Sequence, residues 1–466
     1  MSKWVKLAVV VAVPVIMLLF PPPTGLSLPA WQLLSVYLGA VVGLVLRPFP
    51  EPVIFLAAVA AVSILMKNTQ VLEGYAEGVP WLIFCAFMIG TAFIKTGLGL
   101  RIAYYLIRVI GRTPLGLGYV ATLTDTLLSP AIPSNAARTG GVVFPIIRSI
   151  ALALDSEPGP SARRIGSYLM VLAYQVSLTT GYFVITGVAP NLLTVKFAAT
   201  ILHVNIDWMM WFYAAIVPAG LMLLLEPYIV YKLYPPELKV IDNKRLAAEG
   251  LAKLGPMSGK EKILMTIFVF AIIGWMTGSM TKIDAPIVAI AALAVCVMAG
   301  VLAWEDVLSA HGGWNTLIWY GGIMGLASGL QKAKFFDWMA KVLGANLNFS
   351  GQDPMLILTA LVVISLAIRY FFASGGAYIA TMVPLFYTIG YVSHVPVIPL
   401  AFGIGFSAVY GSLLTHYGSA AGPIIFSAGY VDQTTWWKIG HVIVLVSALV
   451  TLGIGIPYWK LIGLSP

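Results

Sequence analysis

The chain has 466 residues, of which 60 % are hydrophobic and 10 % charged, with a formal net charge of +9 and a mean hydropathy of +0.93. Soluble domains carry roughly 25 % charged residues, so a soluble enzyme or binding module is excluded and the chain reads as a multi-pass membrane protein. The positive excess is scattered through short connections between apolar runs, which reports topology and argues against a nucleic-acid partner.

Lys3 and Lys6 precede an apolar run over about 7–20. No small-residue cleavage pattern follows, and Pro21-Pro-Pro23 leads straight into another span, so residues 1–27 are expected to form a retained N-terminal helix with its start in the cytoplasm. Further spans are expected over 28–46 and 52–66 and from Trp81 onward. The last runs into an amphipathic surface segment carrying Lys95, Arg101, Arg108 and Arg112. Cys85 and Cys296 lie far apart inside apolar runs and read as packing residues.

Thr113-Pro114 caps a new helix with proline at its first position. Only about 16 residues follow before Ser129, roughly 24 Å of helix, which is short of a full crossing. Residues 129–141 then place Pro130, Pro133, Gly140 and Gly141 among Ser134, Asn135 and Arg138. The prolines stop the first helix, and Ser134 and Asn135 suit the N-cap of a second one beginning near Ala136. Such a pair of short arms is expected to be a re-entrant hairpin whose tip offers free N–H groups and positive potential to an anion. Asp125, in the first arm, either braces the hairpin or handles a coupling ion or proton.

A helix beginning near Ile165 is interrupted at Thr186-Gly-Val-Ala-Pro-Asn191, and Asp207 caps the next span. Residues 235–262 form the one long hydrophilic stretch, net positive and expected on the cytoplasmic side. The second half then repeats the first. Spans near 263–280 and 286–302 match the pair before Trp81, a charged segment over 331–341 matches the earlier one, and Asp353-Pro354 opens another short arm. That arm ends so that Ser374 falls where Ser134 fell, and a later helix is broken over 415–423. The expected fold is therefore all-α and polytopic, with about eleven transmembrane helices and two re-entrant hairpins in two inverted repeats. The first repeat spans 28–234 with its hairpin at 113–153. The second spans 263–466 with its hairpin at 353–390. Glu73 and Glu77 fall outside in this scheme, and so do Lys332, Lys334 and Lys341, the exception to the charge rule.

No metal-ligand or nucleophile–base pattern suits an intramembrane enzyme, and no phosphate-binding loop suits direct ATP drive. The polar residues gather at mid-membrane breaks instead of forming a continuous pore, which favours a secondary transporter over a channel.

Residues 133–145 (Pro-Ser-Asn-Ala-Ala-Arg-Thr-Gly-Gly-Val-Val-Phe-Pro), 370–377 (Tyr-Phe-Phe-Ala-Ser-Gly-Gly-Ala), Thr415-His-Tyr-Gly-Ser419 and Ala428-Gly-Tyr-Val431 resemble the divalent anion/sodium symporter (DASS) family. They are most similar to its exchanger branch, the citrate or tartrate:succinate antiporters and the plastid 2-oxoglutarate/malate translocators. The resemblance implies transport of di- or tricarboxylates of the succinate, malate, fumarate, 2-oxoglutarate, citrate or tartrate class. It also implies a homodimer, in a bacterial inner membrane rather than a plastid envelope, with sodium symport as the alternative to exchange.

In the family each tip carries Ser-Asn-Thr and each break a Gly-Thr-Pro-Pro-Asn-like sequence. Here Ser134 and Asn135 match the first tip and Ala136 lacks the threonine hydroxyl. Ser374 matches the second tip, with Gly375 and Gly376 in place of Asn and Thr. Gly187 and Asn191 match the first break. Gly418 and Ser419 match the second, where Ala420, Ala421 and Gly422 replace Pro, Pro and Asn. The resemblance implies Ser134, Asn135, Ala136, Gly187, Asn191, Ser374, Gly375, Gly376, Gly418 and Ser419 as candidate substrate contacts. Arg138 is a further candidate, either meeting a carboxylate or pairing with Asp125, and so are His416 and Arg369. No cofactor is expected. A sodium site remains open near Ser134, Asn135 and Gly187, while the second tip has lost the side chains for another. Lys196, Glu226 and the tryptophans read as interface or packing residues.

Overall fold

The computed structural model describes residues 2–67, 69–346 and 351–465. It is nearly all helix, with no strand among the described residues. Helices are what an apolar chain must form in lipid, because each satisfies its own backbone hydrogen bonds. Six described helical stretches are long and apolar enough to cross a bilayer: Leu28–Leu46, Gly78–Thr96, Ala136–Ala153, Trp208–Leu233, Val397–Leu414 and Gln433–Leu461. Other apolar helices, such as Glu51–Met66 and Ala285–Met298, are shorter. The N-terminal helix Lys3–Leu18 buries no residue fully and lies against Leu28–Leu46, where Gly39 leaves room for the Pro14 ring.

The order of elements recurs in the two halves. Glu51–Met66, Gly78–Thr96, Leu98–Ile110, the arms Pro114–Leu128 and Ala136–Ala153, the broken pair Gly166–Phe183 and Ala189–Leu202, and Trp208–Leu233 make up the first. Ala285–Met298, His311–Lys332, Phe335–Asn346, the arms Pro354–Arg369 and Gly375–Val392, the broken pair Val397–Leu414 and Ala421–Phe426, and Gln433–Leu461 follow in the same sequence.

Packing between the halves is reciprocal. Gly78–Thr96 lies against Ala285–Met298, and its counterpart His311–Lys332 lies against Glu51–Met66. Around the breaks, Ala189–Phe197 packs on Gly375–Val392, and Ala421–Phe426 packs on the wide-turned segment Ala136–Val143. The second contact is close, since a Cβ on Gly140 would stand 2.9 Å from the Ile424 side chain. Each tip helix thus rests on the far side of the other half's break.

The segment expected on the surface is more tightly held than its charges suggest. Arg101, only 4 % exposed, pairs with Glu261 at 2.6 Å, and Asn243, at the start of the linker helix Asn243–Leu254, donates to the carbonyls of Ile107 and Arg108 at 2.9 Å. Two more ion pairs join the halves, Lys95 with Asp306 and Lys332 with Glu73. Glu73 and Lys332 thus lie side by side. Lys95 and the Ala303 N–H hold the Asp306 carboxyl below its ordinary range.

Candidate functional site

The two tips are built alike. The Ser134 hydroxyl oxygen accepts the Ala137 N–H at 3.3 Å, and the Ser374 hydroxyl oxygen accepts the Ala377 N–H at 3.3 Å. Each serine therefore caps the helix behind it and keeps its own O–H to donate. The first N–H groups of those helices have no intrahelical acceptor. Between the tips lies a cavity of about 380 Å³ lined by Ser134, Asn135, Ala136, Ser374, Gly375, Gly376 and Ser419, together with Val188, Pro190 and Ser412 of the breaks. The Ser419 hydroxyl is buried without a partner. Asn315 and Trp319 of His311–Lys332 close another wall, and Arg47 and Glu51 also contribute to the lining.

Arg138 does not line the cavity. It is fully buried and pairs through Nε with Asp125 Oδ2 at 2.9 Å. Nη1 donates to the carbonyls of Ile132 at 2.8 Å and Gly187 at 2.6 Å, and Nη2 to Asn135 Oδ1, Ser177 O and Thr180 Oγ1, each at 3.0 Å. Of the two roles open to it in the sequence, the pairing with Asp125 is the one the fold forms. A second consequence concerns Asn135. A guanidinium only donates, so the amide oxygen must face it, and Nδ2 is left as a donor.

The second half solves the same problem from the opposite arm. Arg369, 2 % exposed, donates to the carbonyl of Phe372 at 2.6 Å, to Ser412 Oγ at 2.7 Å and to the Gly418 carbonyl at 2.7 Å. Ile132 and Phe372 each precede the tip serine by two residues, so in both halves one guanidinium ties the tip to the glycine of the break. Arg138 has Asp125 as counter-charge. Arg369 forms no ion pair among the described residues, and its Nε is buried without a partner.

The remaining candidates sit behind the wall. Gly187 and Gly418 supply the carbonyls just described, and neither has room for a side chain: a Cβ would fall 2.6 Å from the Thr180 and Gly181 carbonyl oxygens and 2.2 Å from that of Ser412. Asn191, fully buried, donates Nδ2 to Gly181 O at 2.7 Å and to Val184 O at 3.2 Å, so it stitches the break rather than lining the cavity. His416 accepts the Trp437 indole N–H at Nδ1 at 3.0 Å and stacks on Phe426, also outside the lining. The sodium site considered near Ser134, Asn135 and Gly187 has two of its oxygens, Asn135 Oδ1 and Gly187 O, already bonded to a guanidinium.

Sequence reasoning missed four participants. Tyr174, from the first half, donates to the carbonyls of Ser412 and Thr415 at 2.9 and 3.0 Å and so holds the second break where Asn191 has no counterpart. Trp319 fills the space beside the second tip, since a Cβ on Gly376 would stand 2.9 Å from its ring. Arg47 and Asn315, at the cavity wall, carried no motif signal.

A nearly all-helical membrane protein in which two helix N-termini face a shared cavity has the layout of a secondary transporter's substrate site. The comparisons give its family: the profile described as sodium:sulfate symporter transmembrane region matches residues 1–465, and the chain belongs to that family, the divalent anion/sodium symporters. It is 48 % identical to the inner membrane protein YbhI of Escherichia coli K12 over 99 % of this chain and 98 % of that one. It is 35 % identical to the chloroplastic dicarboxylate transporter 1 of Arabidopsis thaliana over 97 % of this chain and 82 % of that one, and 33 % identical to the L-tartrate/succinate antiporter of Escherichia coli O6:K15:H31 over 96 % of both. The YdaH transporter of Alcanivorax borkumensis shares the fold, with a TM-score of 0.58 at 12 % identity over 94 % of this chain and all of that one.

Proposed function

We propose that this protein exchanges small di- or tricarboxylates across a bacterial inner membrane by alternating access, binding them in the cavity between the two tips. The observation that carries the reading is the arginine at each break. The carbonyls of Gly187 and Gly418, the kind of backbone oxygen a sodium ion would need, accept from Arg138 and Arg369 instead. At the first break Asp125 neutralises the guanidinium, but at the second the charge of Arg369 is covalently fixed and unpaired among the described residues, so no sodium needs to supply it.

Energetics favours exchange on the same ground. A dianion moving against about 100 mV, negative inside, faces roughly 4.6 kcal/mol, twice the cost per elementary charge. Swapping one dianion for another cancels that term without sodium. An empty carrier would have to move the unpaired Arg369 guanidinium through the barrier, whereas a loaded one moves it behind the substrate's carboxylate, through Ser412. Ser134, Ser374, the Asn135 amide and the free N–H groups of Gly375 and Gly376 are the donors in this reading, with Arg138 and Arg369 acting as positioning residues. The specificities in the names of the tartrate/succinate and dicarboxylate relatives support the substrate class, and the inner-membrane location in the name of the Escherichia coli K12 relative supports the inner membrane.

In the same reading the halves are inverted repeats with re-entrant hairpins, the linker and N-terminus face the cytoplasm, and the protein is a homodimer. The hairpins and broken helices shift as rigid bodies against the other spans. Lys196, on Ala189–Phe197, meets Glu77 at 2.9 Å across that boundary, and Glu77 also accepts from Ser328 at 2.6 Å, so this contact must break when they move. The test is uptake of labelled succinate into liposomes containing purified protein, without sodium. Preloading with succinate or malate should accelerate it. Uptake into empty liposomes that needs an inward sodium gradient and ignores preloading would replace exchange by symport.

A further inference from the structure

Behind the tips, away from the cavity, Glu226 is fully buried in Trp208–Leu233 immediately before Pro227. Its Oε1 accepts the Thr179 hydroxyl at 2.5 Å, and its Oε2 has no partner. The first half-helix ends nearby at Phe183, and Tyr410 of the corresponding second-half helix Val397–Leu414 approaches it. The Tyr182 and Tyr410 rings lie 5.9 Å apart, and both hydroxyls are buried without partners. Thr451 and Ser447, on the neighbouring Gln433–Gly455 segment, add two more unpartnered hydroxyls.

The elements packed on Trp208–Leu233 offer no counter-charge to Glu226. Gly166–Phe183 carries only the tyrosines Tyr168, which donates to the Pro227 carbonyl at 3.1 Å, Tyr174, which donates to the second break, and Tyr182, while Ile456–Leu461, held by the Trp459 indole on the Ala214 carbonyl, carries the exposed Lys460. Pro114–Leu128 offers Asp125, already paired with Arg138. Gly259–Met276 offers Glu261, paired with Arg101, and the exposed Lys260 and Lys262. Gln433–Val450 offers Lys438 and His441, both exposed, while Thr451–Gly455 and Ile185–Gly187 carry no charged group. No cation reaches Glu226 among the described residues. A carboxylate there would be buried without compensation, a state costing several kcal/mol, and the C-terminal end of Gly166–Phe183, one turn past Thr179, adds negative potential that disfavours it further.

We propose that Glu226 is a proton-binding site: in the resting protein it is a neutral carboxylic acid within this cluster of hydroxyls, and transport requires it in that form. Loss of the proton to bulk solvent leaves a bare anion at Thr179. The next residue, Thr180, bonds both Asp125 and Arg138 and so sets the Asn135 amide. The inference is independent of whether the carrier exchanges or symports.

Infrared spectroscopy of purified protein tests it without any substrate. At neutral pH the wild type should show a buried carboxylic-acid C=O band that Glu226→Gln lacks and Thr179→Val shifts. In succinate counterflow, wild-type activity should fall toward alkaline pH, and Glu226→Gln, which mimics the protonated state, should transport without that fall. The proposal is overturned if the acid band survives in Glu226→Gln unchanged, or if that variant keeps the alkaline decline. Should Glu226→Gln fail to fold, the response of the band to Thr179→Val decides alone, an unshifted band counting against the proposal.

Discussion

Replacing Arg138 by alanine separates the two roles that its sequence position allows. The substitution leaves Asp125, 1 % exposed, as a buried carboxylate whose remaining partners are the hydroxyls of Thr139 and Thr180. It also removes the donor to the carbonyls of Ile132, Gly187 and Ser177. Removing one partner of a buried ion pair costs about 3–5 kcal/mol, most of it the penalty of the stranded charge. Arg138→Ala should therefore lose stability on that scale in denaturant unfolding from mixed micelles, followed by tryptophan fluorescence. The double variant Arg138→Gln/Asp125→Asn, which strands no charge, should lose clearly less than the sum of its two single changes. A stability within about 1 kcal/mol of wild type, below the range expected for a broken buried pair, with transport abolished, would refute the bracing role and return Arg138 to the substrate.

Asn135→Ala should lower transport sharply while folding and expression stay normal, because it removes a cavity donor and one of several acceptors around Arg138; wild-type affinity in that variant would take Asn135 out of the site. Gly187→Ala and Gly418→Ala should each fail to assemble a stable carrier, since the added carbon meets backbone oxygens at 2.6 and 2.2 Å, and normal thermal stability in either would contradict the geometry of the breaks. Lys196→Cys and Glu77→Cys joined by a short, reducible bifunctional thiol reagent should halt exchange and release it on reduction; continued exchange in the crosslinked protein would mean that the moving boundary lies elsewhere.

The helices and their interruptions were legible in the chain because prolines, glycines and capping residues act locally. Thr113 before Pro114, Asp353 before Pro354, and Ser134 and Ser374 at the tips all cap as their neighbours dictate. The cavity lining at the tips followed from those caps. What did not follow was which polar groups would be consumed by the protein itself. Asn191 and His416 looked like ligands in sequence, yet Gly181 O and the Trp437 indole claim them. Those partners are fixed by how helices pack. Tyr174 reaches the second break from a helix 238 residues away from Ser412, a distance no local pattern encodes. Glu226 read as a packing residue because an isolated acid gives no motif, and only its burial beside unpartnered hydroxyls marks it out.

The most direct measurement is equilibrium binding of labelled succinate to the purified protein in sodium-free buffer, comparing wild type with Asn135→Asp. The wild type should bind, and the variant, which sets a carboxylate against a carboxylate in the cavity, should not. Wild-type binding that appears only when sodium is added, or binding left intact in Asn135→Asp, would contradict the claim that the cavity between the tips holds a dicarboxylate with charge supplied by the protein alone.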